Sequence, residues 1–107
     1  MSDRPMWVSS ALGDVMSERH RQDEKWGEQN HDPFVFLAIL HEESGELALA
    51  ALKARFEAKD FSDFNDHTYR IREEAVQVAA VALALLECLD RGKWTWGGHA
   101  LPPEVTT

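Results

Sequence analysis

At 107 residues, 44% of them hydrophobic and 28% charged, the chain is sized for one domain with a core and is too apolar for wholesale disorder. Its formal net charge of −8 leaves no basic footprint for non-specific nucleic-acid binding. The start, MSDRPMW, lacks a basic-then-apolar leader, and the longest near-apolar run, VQVAAVALALL at 76–86, is shorter than the roughly 18 residues of a membrane span. A cytoplasmic protein with neither nucleic-acid nor membrane partners is expected. The single cysteine, Cys88, falls in an apolar run and reads as a buried reduced thiol.

Taken in chain order, a first helix is expected over about 9–25, with Ser9 or Ser10 as its cap. WGEQNHDP at 26–33 reads as a loop that ends in Asp32-Pro33, a strong helix start. A second helix follows over about 33–58. DFSDFND then supplies a turn in which Asp63 or Asn65 caps a third helix over about 66–90, and Gly92 stops it. The tail WTWGGHALPPEVTT reads as irregular. No window alternates with period two, so the class is all-α: one domain over 1–107, a bundle of three to four helices built around a long antiparallel hairpin. VAAVALALL is apolar on every face, which predicts completion by a homodimer or homotetramer.

The second helix carries HEESGEL at 41–47. Glu43 continues a stripe of Phe36, Leu40, Leu47 and Ala50, and Glu46 lies three residues further along the same face. On the third helix, Glu74 and Gln77 repeat that spacing in REEAVQVAA. In an antiparallel hairpin the two pairs lie about level. Carboxylates brought this close repel one another, and a cation or shared protons must offset the repulsion. An all-oxygen set favours Mg²⁺, with Mn²⁺ as substitute, over zinc. Glu42 and Glu73 flank the set or belong to a solvated face.

These residues resemble the MazG-like, all-α nucleoside triphosphate pyrophosphohydrolase family, whose signature is Glu-x-x-Glu on one helix and Glu-x-x-Asp on the next. Glu43-Ser-Gly-Glu46 matches the first half, and Glu74-Ala-Val-Gln77 matches the second except at its last residue. ERHRQDEKWGEQNH at 18–31, with HEESGEL and REEAVQVAAVALALLECLDR, is similar to small phage-type members, over roughly residues 14–92. The resemblance implies hydrolysis of a (deoxy)nucleoside triphosphate to the monophosphate and pyrophosphate. Mg²⁺ would be held by Glu43, Glu46, Glu74 and Gln77, with Glu42 or Glu43 as general base. Gln77 brings an oxygen without a charge, so a second reading is an inactive nucleotide- or metal-binding homologue acting as a sensor or assembly subunit.

Around this set, Lys53 lies seven residues after Glu46 and is placed to reach a β- or γ-phosphate, or else is a surface lysine. Arg70, one turn before Glu74, pairs with it or with phosphate. In the loop, Trp26 offers a ring for base stacking, Gln22, Gln29 and Asn30 offer edge-reading amides, and Lys25 offers a phosphate contact. The competing reading of Trp26 is plain packing. His31 and His41 do not fit a Glu-x-x-His di-iron pattern and read as ordinary polar residues. Trp94 and Trp96 cover the end of the bundle or a second subunit.

Overall fold

The computed structural model describes residues 6–96, 99 and 100. Three helices dominate: α1 at Met6–Trp26, α2 at Pro33–Glu57 and α3 at Phe61–Arg91. The class is all-α, with one exception in the tail. There β1 (Thr95–Trp96) pairs antiparallel with β2 (His99–Ala100), Thr95 opposite Ala100 and Trp96 opposite His99. The expectation of an irregular tail therefore fails over these residues, where threonine and tryptophan suit a pleated ladder. Residues 101–107 lie outside the described residues.

Local chemistry sets the helix ends. α1 starts at Met6 rather than near Ser9, so Ser9 and Ser10 lie inside it and neither is its N-cap. No breaker interrupts Met6, Trp7 and Val8. Gly27 stops α1 in the left-handed region (φ 73°), its N–H donating to the Asp23 carbonyl at 2.8 Å. α2 starts where Asp32-Pro33 predicts: the Asp32 carboxylate accepts the Val35 N–H at 3.0 Å. α3 begins five residues before the expected 66, and its cap is Asp60 rather than Asp63 or Asn65. Asp60 accepts the Asp63 N–H at 2.8 Å, while the Asp63 carboxylate reaches back to the Lys59 N–H at 2.9 Å. This reciprocal arrangement satisfies two otherwise orphaned donors and shortens the turn to Ala58–Asp60. Gly92 (φ 68°) ends α3, donating to the Cys88 carbonyl at 3.2 Å.

α3 is the spine, and both α2 and α1 pack along it. Phe36, Ala84 and Cys88 form a core cluster, with Leu85 and Trp94 packed against it. Trp94 thus covers the core within the subunit, whereas the Trp96 side chain lies outside the described residues. Among the described residues four of the seven buried apolar side chains are alanines, so the interior is thin. The radius of gyration, 17.1 Å, exceeds the roughly 13 Å of a compact chain of this length.

Polar bonds fix α1 and the α1–α2 loop to α3. The buried Arg19 guanidinium donates to Glu87 through Nε at 3.0 Å and again through a second nitrogen, and it also bonds Asp23 at 3.1 Å. Arg72 pairs with Asp14 at 2.7 Å. At the far end of α3, Arg91 donates to the Gln29 carbonyl at 2.8 Å and to Asn30 Oδ1 at 3.0 Å, and pairs with Glu28 at 3.0 Å. The Cys88 thiol reaches the His31 carbonyl at 3.5 Å. Among the described residues no helix is long and apolar enough to cross a membrane.

Candidate functional site

Because α1 and α2 lean on α3 rather than on each other, a cleft of about 590 Å³ opens between them. The α1 wall is Glu18, Arg21, Gln22, Lys25 and Trp26; the loop adds Gln29 and His31. The facing wall comes from Phe36, Ile39, Glu42 and Glu43 of α2, and the floor from Gln77, Val81 and Ala84 of α3. One side is thus aromatic, amide and cationic, and the other carries carboxylates above an apolar floor.

The acidic pairs stand nearly level. Glu46 lies eleven residues before the end of α2, and Glu74 thirteen after the start of α3. At 1.5 Å per residue these are about 17 and 20 Å from the short turn. Burial raises the Glu43 carboxyl above the usual 4.5, and repulsion from Glu74, Glu42, Glu46 and Glu18 raises it further. Glu43 therefore sits at the centre of an anionic group contributed by all three helices. Glu46 departs from the stripe that places it beside Glu43 on the buried face. It is exposed and does not line the cleft. Glu74 is largely covered, its side chain 15% exposed, and Arg70 Nε lies 3.4 Å from it. Arg70 also approaches Glu73 at 3.7 Å.

The amides of α1 and of the following loop divide by role. Gln22 is buried in the cleft wall, accepting from Arg19 at 3.1 Å and donating to Glu18 at 3.4 Å. Gln29 lines the cleft and meets the His31 ring at 3.2 Å. His31 packs edge-on against Phe36, centroids 5.1 Å apart, so it belongs to the cleft wall rather than to a solvated loop. Asn30 does not line the cleft; its amide bonds Glu28 at 3.1 Å and Arg91 at 3.0 Å, which makes it a loop anchor. Trp26 is 62% exposed, with the Lys25 ammonium 4.7 Å from its ring centroid. A plain core role for this ring is therefore out. Lys53 is exposed and outside the cleft.

Two charged cleft residues, Glu18 and Arg21, are absent from the sequence-based set, as are His31 and the apolar lining residues. Arg21 donates to Glu18 at 2.8 and 2.5 Å, and this hydrogen bond, opposed by burial, lowers the Glu18 carboxyl below the ordinary range. The signal was available: Glu18, Arg21, Gln22 and Lys25 fall at i, i+3, i+4 and i+7, one face of a helix. Both also line a second cleft of about 420 Å³ with Asp14, Ser17, Tyr69, Arg72, Glu73, Val76 and Gln77. Glu73 therefore faces this second cleft.

Among the described residues no group of three or more His, Cys, Asp or Glu side chains is closed on a point where it could hold a metal ion. The donor chemistry nevertheless suits a hard cation. The charged groups acting on Glu43 are carboxylates, whose repulsion adds to burial in raising its carboxyl, and the cations bonded to that group are Arg70 at Glu74 and Arg21 at Glu18. Comparison of the chain with protein-family models, with curated proteins and with solved structures gives no match.

Proposed function

We propose that the protein is a nucleoside triphosphate pyrophosphohydrolase, releasing the monophosphate and pyrophosphate from a (deoxy)nucleoside triphosphate. The observation that carries this reading is the two-sided cleft: Trp26, Gln22 and Gln29 on one wall face Glu42 and Glu43 on the other, with Arg21 and Lys25 alongside. Its volume falls within the range of small-molecule pockets. The exposed ring of Trp26 stacks on the base, and the amides of Gln22 and Gln29 meet polar atoms at its edge. Arg21 and Lys25 meet the phosphate oxygens, Arg21 being oriented by its bonds to Glu18. Mg²⁺, or Mn²⁺ in its place, would be held by Glu43, Glu74 and Gln77, with Glu46 outside the cleft lining, and would neutralise charge on the triphosphate and lower the pKa of a water molecule. Glu42 or Glu43 takes the proton from the attacking water. The raised carboxyl of Glu43 brings its basicity closer to neutral pH, where a general base works best.

Incubation with a panel of NTPs and dNTPs plus Mg²⁺ or Mn²⁺ tests this reading; the expected result is paired appearance of monophosphate and pyrophosphate. Absence of both products across the panel overturns it. Gln77, on the cleft floor where the resemblance expects aspartate, favours one second reading: a nucleotide-binding homologue without turnover. Under that reading nucleotides raise the melting temperature and are not consumed. The finer architecture belongs with these proposals: a helical bundle completed by a second copy of the chain.

A further inference from the structure

Between the left-handed Gly27 and the Asp32 cap, the loop sorts its side chains by alternation. Gln29 and His31 line the cleft, whereas Glu28 and Asn30 stay out of it and turn to Arg91, the last residue of α3. Successive side chains of an extended chain point to opposite sides, so a group that grips one pair also aims the other.

The Arg91 guanidinium takes hold of three successive residues. One terminal nitrogen donates to the Gln29 carbonyl at 2.8 Å, and Nε lies 3.0 Å from both Asn30 Oδ1 and a Glu28 carboxylate oxygen. The Asn30 amide nitrogen closes the ring of bonds by donating to the other Glu28 oxygen at 3.1 Å. The net admits one arrangement: arginine only donates and a carboxylate only accepts, so Asn30 turns its oxygen to Arg91 and its nitrogen to Glu28. These bonds are charge-assisted, and the Arg91 side chain is only 26% exposed. One turn back on α3, the Cys88 thiol reaches the His31 carbonyl. Arg91 itself does not line the cleft, and it lies fourteen residues beyond Gln77, about 21 Å along α3.

We infer that Arg91 is a positioning residue for nucleotide recognition: by gripping Glu28 and Asn30 it aims Gln29 into the cleft beside Trp26, where the base is met. This role rests on the proposed function and adds to it a residue that touches no substrate. It acts on affinity rather than on the chemical step. Loss of the grip frees the loop end of the cleft, while Glu42, Glu43 and Gln77 keep their places on α2 and α3.

Steady-state kinetics on the NTP or dNTP turned over fastest, with native-state hydrogen exchange alongside, tests the role. Where nucleotides bind without turnover, the dissociation constant takes the place of KM. Arg91→Met should raise KM about tenfold, as loss of one or two hydrogen bonds to the base does, and keep kcat within about twofold. The amides of residues 28–31 should exchange faster in this variant, while those of Ala80–Ala84 keep their protection. Asn30→Ala, which removes a gripped group and leaves α3 untouched, should act in the same direction. Gln29→Ala should also raise KM, and Arg91→Met added to it should change little, because Arg91 acts through Gln29. Arg91→Lys keeps the charge beside Glu28 without the planar fork and should recover only part of the loss. Asp60→Ala, which weakens the opposite end of α3, should leave KM unchanged. An active wild type whose Arg91→Met form keeps its KM, or loses kcat instead, overturns this role alone. So does unaltered exchange in the loop, or an equal rise of KM in Asp60→Ala. A wild type that neither binds nor hydrolyses any nucleotide of the panel overturns the proposed function, and this role with it.

Discussion

Glu43 carries its proton more tightly in the folded chain than in the unfolded one, because burial and four neighbouring carboxylates oppose its charge. The contribution of Glu43 to stability should therefore be greatest below the ordinary carboxyl value of 4.5 and decline as pH rises from there through the raised value. Glu43→Gln removes this penalty. Its metal-free melting temperature should exceed that of the wild type at about pH 7, with the gap closing toward about pH 4. On the proposed function, the same change should lower turnover by about a hundredfold or more, as loss of a general base or metal ligand does. Gln77→Asp should have the opposite signs: lower metal-free stability and a larger melting shift with saturating Mg²⁺. An unchanged shift in both variants would refute a cation site at these residues. The Glu-x-x-Glu and Glu-x-x-Gln spacings were readable because they are local. That Glu18 joins them was not, because it depends on how α1 docks.

At the level of elements, short-range chemistry was the legible part. Asp32-Pro33 fixed the start of α2, and Gly92 the end of α3, through bonds spanning three or four residues. The start of α3 was misread because an acid-rich stretch holding two phenylalanines resembles a loop. Asp60 and Asp63 cap reciprocally, and two candidate caps three residues apart are hard to rank without coordinates. Asp60→Ala should destabilise the protein by about 1 kcal/mol, visible as a lower denaturant midpoint with an unchanged slope. The attachment of α1 was illegible for another reason. Arg19 and Glu87 are 68 residues apart, and no periodicity joins them. Arg19→Met should cost about 2 kcal/mol, measured the same way, since it strips charged hydrogen bonds from Glu87 and Asp23 and one from Gln22.

For the whole molecule, small buried side chains and long exposed apolar faces go together. An alanine-rich interior contributes little bulk, so Phe36, 1% exposed, carries a disproportionate share of the core. Phe36→Ala should destabilise by about 3–4 kcal/mol and would leave little of a small domain's stability. Because Phe36 also lines the cleft, on the proposed function this variant should weaken nucleotide binding even under conditions where it stays folded. The all-α class followed from periodicity alone. The elongated shape did not, because hydrophobic content does not say which apolar residues end up inside.

The cleft lies along a seam between two parts of unequal strength. α2 and α3 share the apolar core, whereas α1 is attached to α3 through guanidinium–carboxylate bonds at Arg19 and Arg72. Such an arm opens at lower free energy than the hairpin that carries it. In native-state hydrogen exchange the amides of Ser17–Lys25 should trade with solvent sooner than those of Ala80–Cys88. Raising the salt concentration should widen the difference, because it screens the partly exposed ion pairs and leaves apolar contacts intact. A ligand spanning Trp26 and Glu43 would join the two parts, and its first signature would be slower exchange in α1.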